Sequence, residues 1–316
     1  MYLISKFFQA VLTVFLVSVI VFLLFQIVPG DPILNRLGDA ADPMLEQVLR
    51  EQFGLDRPPL ERYLTWVQNL FQGDMGVSIR FNLPVSELLM ARLPTSMALL
   101  TLSMVLTVVL GVPLGFAAAR FTKDARGLIF NILTQIGTSI PSFFMAIILI
   151  LIFAIGLQWF AVISYVPIER GLLPYLRGLF LPALGIAMSS MTTLARFVRS
   201  SVLEELSMDY VRTAKNKGVS MGTILWRHVL RNSLIPVLTM LGILIATNIG
   251  GAIVIESAFS IPGIGSLLHV GLLQRDLPLV QGLSLYIATV VVVIFFLIDV
   301  LYHIIDPRIG TPGKED

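Results

Sequence analysis

The residues of this chain best placed to do chemistry gather in one short stretch. Asp209, Tyr210, Arg212, Thr213, Lys215, Asn216 and Lys217 fall within nine residues that also hold Val211 and Ala214, and Gly218 closes the run. Ser207 or Asp209 suits the start of a helix on which Tyr210, Val211 and Ala214 share a face. Gly218 is a natural stop, and Met221, Leu225 and Val229 open a second periodic run behind it. A short helix, a glycine turn and a second helix suit two kinds of work. A face of small residues enters a groove on another protein; a basic amphipathic hairpin lies on anionic lipid. Both are binding, not catalysis.

Elsewhere the materials of catalysis are thin. There is no cysteine, which removes disulfides and thiolate metal sites. His228, His269 and His303 stand far apart, none with a second ligand at metal-binding spacing. No G-x-x-x-x-G-K-[ST] phosphate loop occurs, and the one Gly-Lys pair is Gly313-Lys314 near the C-terminal end. H-E-x-x-H is absent too, so the chain reads as non-catalytic. Three ionisable residues fall in or beside apolar stretches, where charge is costly. Arg196 can snorkel to the interface, and Asp299 suits an arginine partner near the membrane surface. Glu256 either pairs with an outer residue such as Arg275 or meets a cationic group of a solute. Asn248, beside Gly250-Gly251, marks either a kink facing a pathway or tight packing.

Long apolar helices must position all of these. Of 316 residues, 56% are hydrophobic and 13% charged, with a mean hydropathy of +0.87. A soluble domain carries about 25% charged residues, so here the bilayer is the solvent. Six stretches approach the roughly 20 apolar residues that span it: 8–28, 97–119, 130–157, 179–197, 234–255 and 280–304. The first outruns a signal peptide's apolar core and lacks a small-x-small cleavage site, so it reads as retained. Gly111 and Gly115 form a small-xxx-small pair suited to helix packing within the chain.

Basic residues set the orientation. Lys6, then Arg120, Lys123 and Arg126, then Arg199, Arg212, Lys215, Lys217, Arg227 and Arg231, and finally Arg308 and Lys314 mark one side. The opposite short loops hold only Arg170, Arg177 and Arg275. Both termini are therefore expected in the cytoplasm. Residues 29–96 lie outside and should form three short helices. Asp42-Pro43 caps the first, Pro58-Pro59 opens the second along Leu60, Tyr63, Leu64, Val67, Leu70 and Phe71, and Pro84 opens the third with Val85, Leu88 and Leu89.

The run Asp209-Tyr210-Val211-Arg212-Thr213-Ala214-Lys215-Asn216-Lys217-Gly218 resembles the "EAA" loop of binding-protein-dependent ABC permeases, most closely in the oligopeptide, dipeptide and nickel branch. His228 and Arg231 depart from the general I-x-L-P ending, as is usual in that branch. Further likeness follows in order along the chain: Pro29-Gly30-Asp31-Pro32, Gly54-Leu55-Asp56, Gly73-Asp74, Gly111-Val112-Pro113-Leu114-Gly115, Ser139-Ile140-Pro141-Ser142-Phe143, Glu256, Pro262-Gly263-Ile264-Gly265, Arg275-Asp276 and Asp306-Pro307-Arg308. Each alone is weak; the ordered set is specific. Ile261 stands where an aromatic is commoner.

The resemblance implies an all-α integral membrane protein, the type I ABC importer permease fold, with six transmembrane helices and an external helical segment between the first two. Residues 1–28 would hold the N-terminus and first span, 29–96 the external segment, 97–306 a five-helix core with the docking loop 199–233, and 307–316 a cytoplasmic tail. It further implies a second homologous permease subunit, two ATPase subunits that bind ATP and Mg, and an extracytoplasmic solute-binding protein. Asp209, Tyr210, Val211, Arg212, Thr213, Ala214, Lys215 and Gly218 would dock in an ATPase groove, with Asn248 and Glu256 on the substrate pathway. This chain itself would carry no cofactor. Peptide leads the possible cargoes, ahead of nickel chelates, opines and glutathione. A secondary transporter would show inverted repeats, and a channel a filter or charged ring; neither is evident.

Overall fold

The computed structural model describes residues 2–27, 33, 43–52, 56–121, 125–163 and 165–305. Pro29-Gly30-Asp31-Pro32, Asp42, Gly54-Leu55, Lys123 and Asp306-Pro307-Arg308 with the tail lie outside them. Five described helices are long and apolar enough to cross a membrane, and a bent pair makes a sixth. The described elements are all helical, as the resemblance implied. It divides into two units, Met1–Ser96 with Pro262–Asp316, and Met97–Ile261. The last span therefore groups with the first, whereas the sequence placed it with residues 97–306.

In the first unit, α1 (Tyr2–Ile27) packs along α12 (Leu277–Ile305). Phe7 meets Phe296 edge-on at 6.2 Å, and Lys6 pairs with Asp299 at 3.1 Å. Asp299 thus takes a lysine from α1, not the arginine expected. Two short helices follow α1, α2 (Pro43–Gln52) and α3 (Pro59–Phe71). Tyr63 and Trp66 of α3 rest on Phe22, with ring centroids 5.2 and 6.3 Å away, and the Ser18 and Tyr63 hydroxyls lie 2.9 Å apart. The third outer helix is not separate. Val85–Arg120 is one 36-residue helix, α4, that runs directly into the second span. Pro94 costs it one hydrogen bond, but no glycine lies between Pro84 and the start of the span at Met97 to stop it.

A buried carboxylate clasps this unit. Asp276, 1% exposed between α11 (Ile264–Gln274) and α12, accepts from the Ser78 hydroxyl at 2.5 Å and the Ile79 and Arg80 amides at 3.1 and 3.0 Å. It also accepts from the Leu279 amide at 3.3 Å, capping α12.

The second unit is built around α7 (Leu172–Ser207), the most enclosed of the spans. Small residues let its neighbours approach closely. A Cβ added at Gly111 of α4 would stand 3.0 Å from the Met191 carbonyl, and one at Gly115 would strike that of Ala195. The glycine pair therefore packs inside the chain, as expected. The third span departs from the sequence reading. It is broken into α5 (Ala125–Ser139) and α6 (Ser142–Leu149, prolonged by a π-helical turn Ile150–Gly156), bent by 104°. Pro141 is the cause: it donates no amide and disfavours helical geometry at Ile140. The remaining span, α10 (Leu230–Ala258), lies against α7.

Candidate functional site

The stretch singled out by its chemistry forms a helical hairpin between α7 and α10. Met208 is extended (φ −69°, ψ 149°) and separates α7 from α8 (Asp209–Asn216). Met208 is the N-cap and makes no side-chain cap, so neither Ser207 nor Asp209 has the capping role expected. Gly218, at φ +79°, reverses the chain, and its amide and that of Val219 bond the Lys215 and Ala214 carbonyls at 2.9 and 3.2 Å. That left-handed turn is easy for glycine and strained for most side chains. Ser220 then caps α9 (Met221–Ile224) through the Thr223 amide, and a π-helical turn Leu225–Val229 leads into α10.

The hairpin is anchored, not laid loosely on the surface. Val211, Ile224 and Val229 are fully buried with Val198 and Val202 of α7 and Val237 and Leu244 of α10. Ala214 and Val219 pack against the same cluster. The face expected for Tyr210, Val211 and Ala214 is therefore divided: Val211 and Ala214 turn inward, while Tyr210 lies outside. Asp209, Tyr210, Arg212, Thr213, Lys215 and Gly218 form the exposed side. Arg212 and Asp209 pair across one turn at 3.5 Å. The Tyr210 hydroxyl donates to Glu205 at 2.6 Å; burial first, then this carboxylate, pushes its pKa up to about 12, partly opposed by Asn232. Its proton is thus held through the physiological range and lost only in strong alkali, together with the contribution of this bond. Neither Glu205 nor Asn232 was signalled by the sequence, since both belong to neighbouring helices.

The two pathway candidates lie along α10. Asn248, 6% exposed, accepts from the Ser190 hydroxyl of α7 at 2.7 Å and directs its amide to Met104 Sδ at 3.3 Å. Gly251 beside it faces Ser142, whereas Gly250 faces open space. Glu256, 1% exposed, lies near the end of α10. Arg196 donates to Gln135 at 3.2 Å and Arg199 donates to Asn131, so both tie α7 to α5. Among the described residues no three His, Cys, Asp or Glu side chains converge as metal ligands would.

Comparison with known proteins fits this arrangement. Residues 111–311 match the family described as the binding-protein-dependent transport system inner membrane component, and residues 1–100 match the N-terminal part of such membrane components. A putative peptide transport system permease of Brucella suis is 39% identical over 301 residues, 95% of this chain and 96% of that one. An oligopeptide transport system permease of Bacillus subtilis is 37% identical over 302 residues, 93% and 94% of the two chains. A probable peptide ABC transporter permease of Sinorhizobium fredii is 35% identical across 98% of both.

Proposed function

The chain belongs to the binding-protein-dependent transport system inner membrane components, and we propose that as a permease subunit it forms half of a path for di- or oligopeptides. The near full-length likeness to peptide permeases carries the choice of cargo. A binding protein would deliver the peptide, a second related permease would complete the path, and two ATPase subunits holding ATP and Mg would drive it. The exposed side of α8 would enter a groove on one ATPase. Because Val211, Ile224 and Val229 share a core with α7 and α10, a push on α8 reaches both spans without passing through a flexible joint. Glu256 and Asn248 are the pathway residues of this proposal. Opening must then exchange the Asn248–Ser190 bond for another partner, and Glu256 offers a carboxylate to a peptide amino group.

Proteoliposomes holding the assembled transporter should take up labelled oligopeptide only with both ATP and the binding protein. Uptake without ATP would mark a secondary transporter, and selective uptake of a nickel chelate or glutathione would correct the cargo. The proposed orientation places both termini and the 199–233 loop in the cytoplasm, supported by the crowding of basic residues there. In this cysteine-free chain, a cysteine at Gln72 should react with an impermeant thiol reagent in intact cells. One at Asn216 should react only in opened membranes; the reverse pattern would invert the chain.

A further inference from the structure

Two cavities of the first unit lie a helical turn apart on the same three helices. One is a cleft of about 290 Å³ whose lining includes Phe22 of α1, Arg62, Trp66 and Asn69 of α3, Gln281 of α12, and Arg57 just before α3. It is rich in donors. The Trp66 indole N–H is buried without an acceptor among the described residues, and Arg62 lies 6.0 Å over the Phe22 ring. Burial lowers the Arg62 pKa, which marks a cation partly stripped of water. Arg57 reaches Glu61 at 3.6 Å, an exposed pair of the kind that contributes little.

The other cavity is a groove of about 510 Å³ lined by Val14 and Ser18 of α1, Val67 and Leu70 of α3, and Leu285 and Phe296 of α12, among others. Its wall is almost wholly apolar. Phe22 to Ser18 on α1 and Gln281 to Leu285 on α12 each separate cleft from groove by four residues, about 6 Å of helix rise. From Ser18 the groove continues to Phe7, about 16 Å further, close to the roughly 15 Å of hydrocarbon in one leaflet.

A cationic, donor-lined cleft directly above an apolar groove, both opening on transmembrane helices, is amphipathic in the sense a lipid is. We propose that the two cavities form one site for an anionic phospholipid. Its phosphate would be held by Arg57, Arg62 and the Trp66 N–H, with one acyl chain in the groove below. Such a lipid pins α3 against α1 and α12. Leu60, Leu64 and Phe71, all exposed on α3, continue the apolar contact into the surrounding leaflet. The site is independent of the cargo and of the ATPase-docking proposal.

The test uses the purified, delipidated transporter, titrated with phosphatidylglycerol, with phosphatidylcholine of the same chains, and with inorganic phosphate, each read by native mass spectrometry. Phosphatidylglycerol should bind about tenfold more tightly than phosphatidylcholine, a difference of roughly 1.4 kcal/mol. The double variant Arg57→Gln/Arg62→Gln should erase that preference. Val14→Trp, which fills the groove and leaves the cleft intact, should weaken both lipids. Equal binding of the two lipids by the parent protein would overturn the proposal. So would displacement of phosphatidylglycerol by inorganic phosphate at equal concentration, or unaltered lipid binding by the Val14→Trp protein.

Discussion

Asp276→Ala is expected to lower the stability of this protein by about 3 kcal/mol or more. The substitution leaves the Ser78 hydroxyl and the Ile79, Arg80 and Leu279 amides without the acceptor they share. Each buried donor left unpaired costs about 1–3 kcal/mol, and the site is closed to water that might replace the carboxylate. Folded proteins hold only about 5–15 kcal/mol in reserve, so this one change should be visible as lost yield in membranes and a lower thermal midpoint in detergent. Asp276→Asn keeps one oxygen and should fall between parent and alanine. Ser78→Ala removes two bonds, the one donated to Asp276 and the one accepted from the Phe81 amide, and should cost about 2 kcal/mol, less than Asp276→Ala. An unchanged midpoint for Asp276→Ala would show that the clasp is not a source of stability.

Gly218→Asn is expected to reduce transport at least about tenfold while leaving membrane insertion intact. Two effects must be separated here. At φ +79° most side chains are strained by about 1–2 kcal/mol, but asparagine tolerates that region. Within the chain itself nothing lies within 4 Å of a Cβ added at Gly218. Any crowding at that Cβ therefore comes from a partner, which is what the proposed groove predicts. Gly218→Val adds the backbone strain and should be worse. Ala214→Glu is a poorer probe, because Ala214 packs on the chain's own core and the charge would disturb the hairpin before reaching a partner. If the hairpin served only to lie on lipid, Gly218→Asn would be mild. Replacing Arg212, Lys215 and Lys217 by glutamine would then release it. Full ATPase co-purification and normal uptake by Gly218→Asn would refute docking through this turn.

The features legible from sequence were those with a period or a local stop. Apolar length located every span, and Gly218 located the turn, because both signals are contained within a few residues. The Pro141 break was present in Ser139-Ile140-Pro141-Ser142-Phe143 but was absorbed into a long apolar run, where hydropathy is blind to direction. Pro84 gave the opposite error: it opened a helix as expected, yet nothing downstream closed it before the second span. The inward turn of Val211 and Ala214 depended on Val198, Ile224 and Val237, which come from three other helices. Asp276 stood within a recognised motif, but its partner Ser78 is 198 residues away, and no local pattern reports such a bond. Lys6 and Asp299 were each visible as charges near a membrane surface; only the antiparallel packing of α1 on α12 makes them a pair.

The exposed side of α8 is proposed to join this permease to an ATPase. A photoreactive amino acid at position 212, where the side chain is well exposed, tests it directly in membranes containing the full transporter. Irradiation should yield a covalent adduct between this chain and the ATPase, with the same probe at position 72, in the segment proposed to be external, yielding none. A transporter that still imports peptide but gives no ATPase adduct from positions 212, 213 or 215 would contradict the claim.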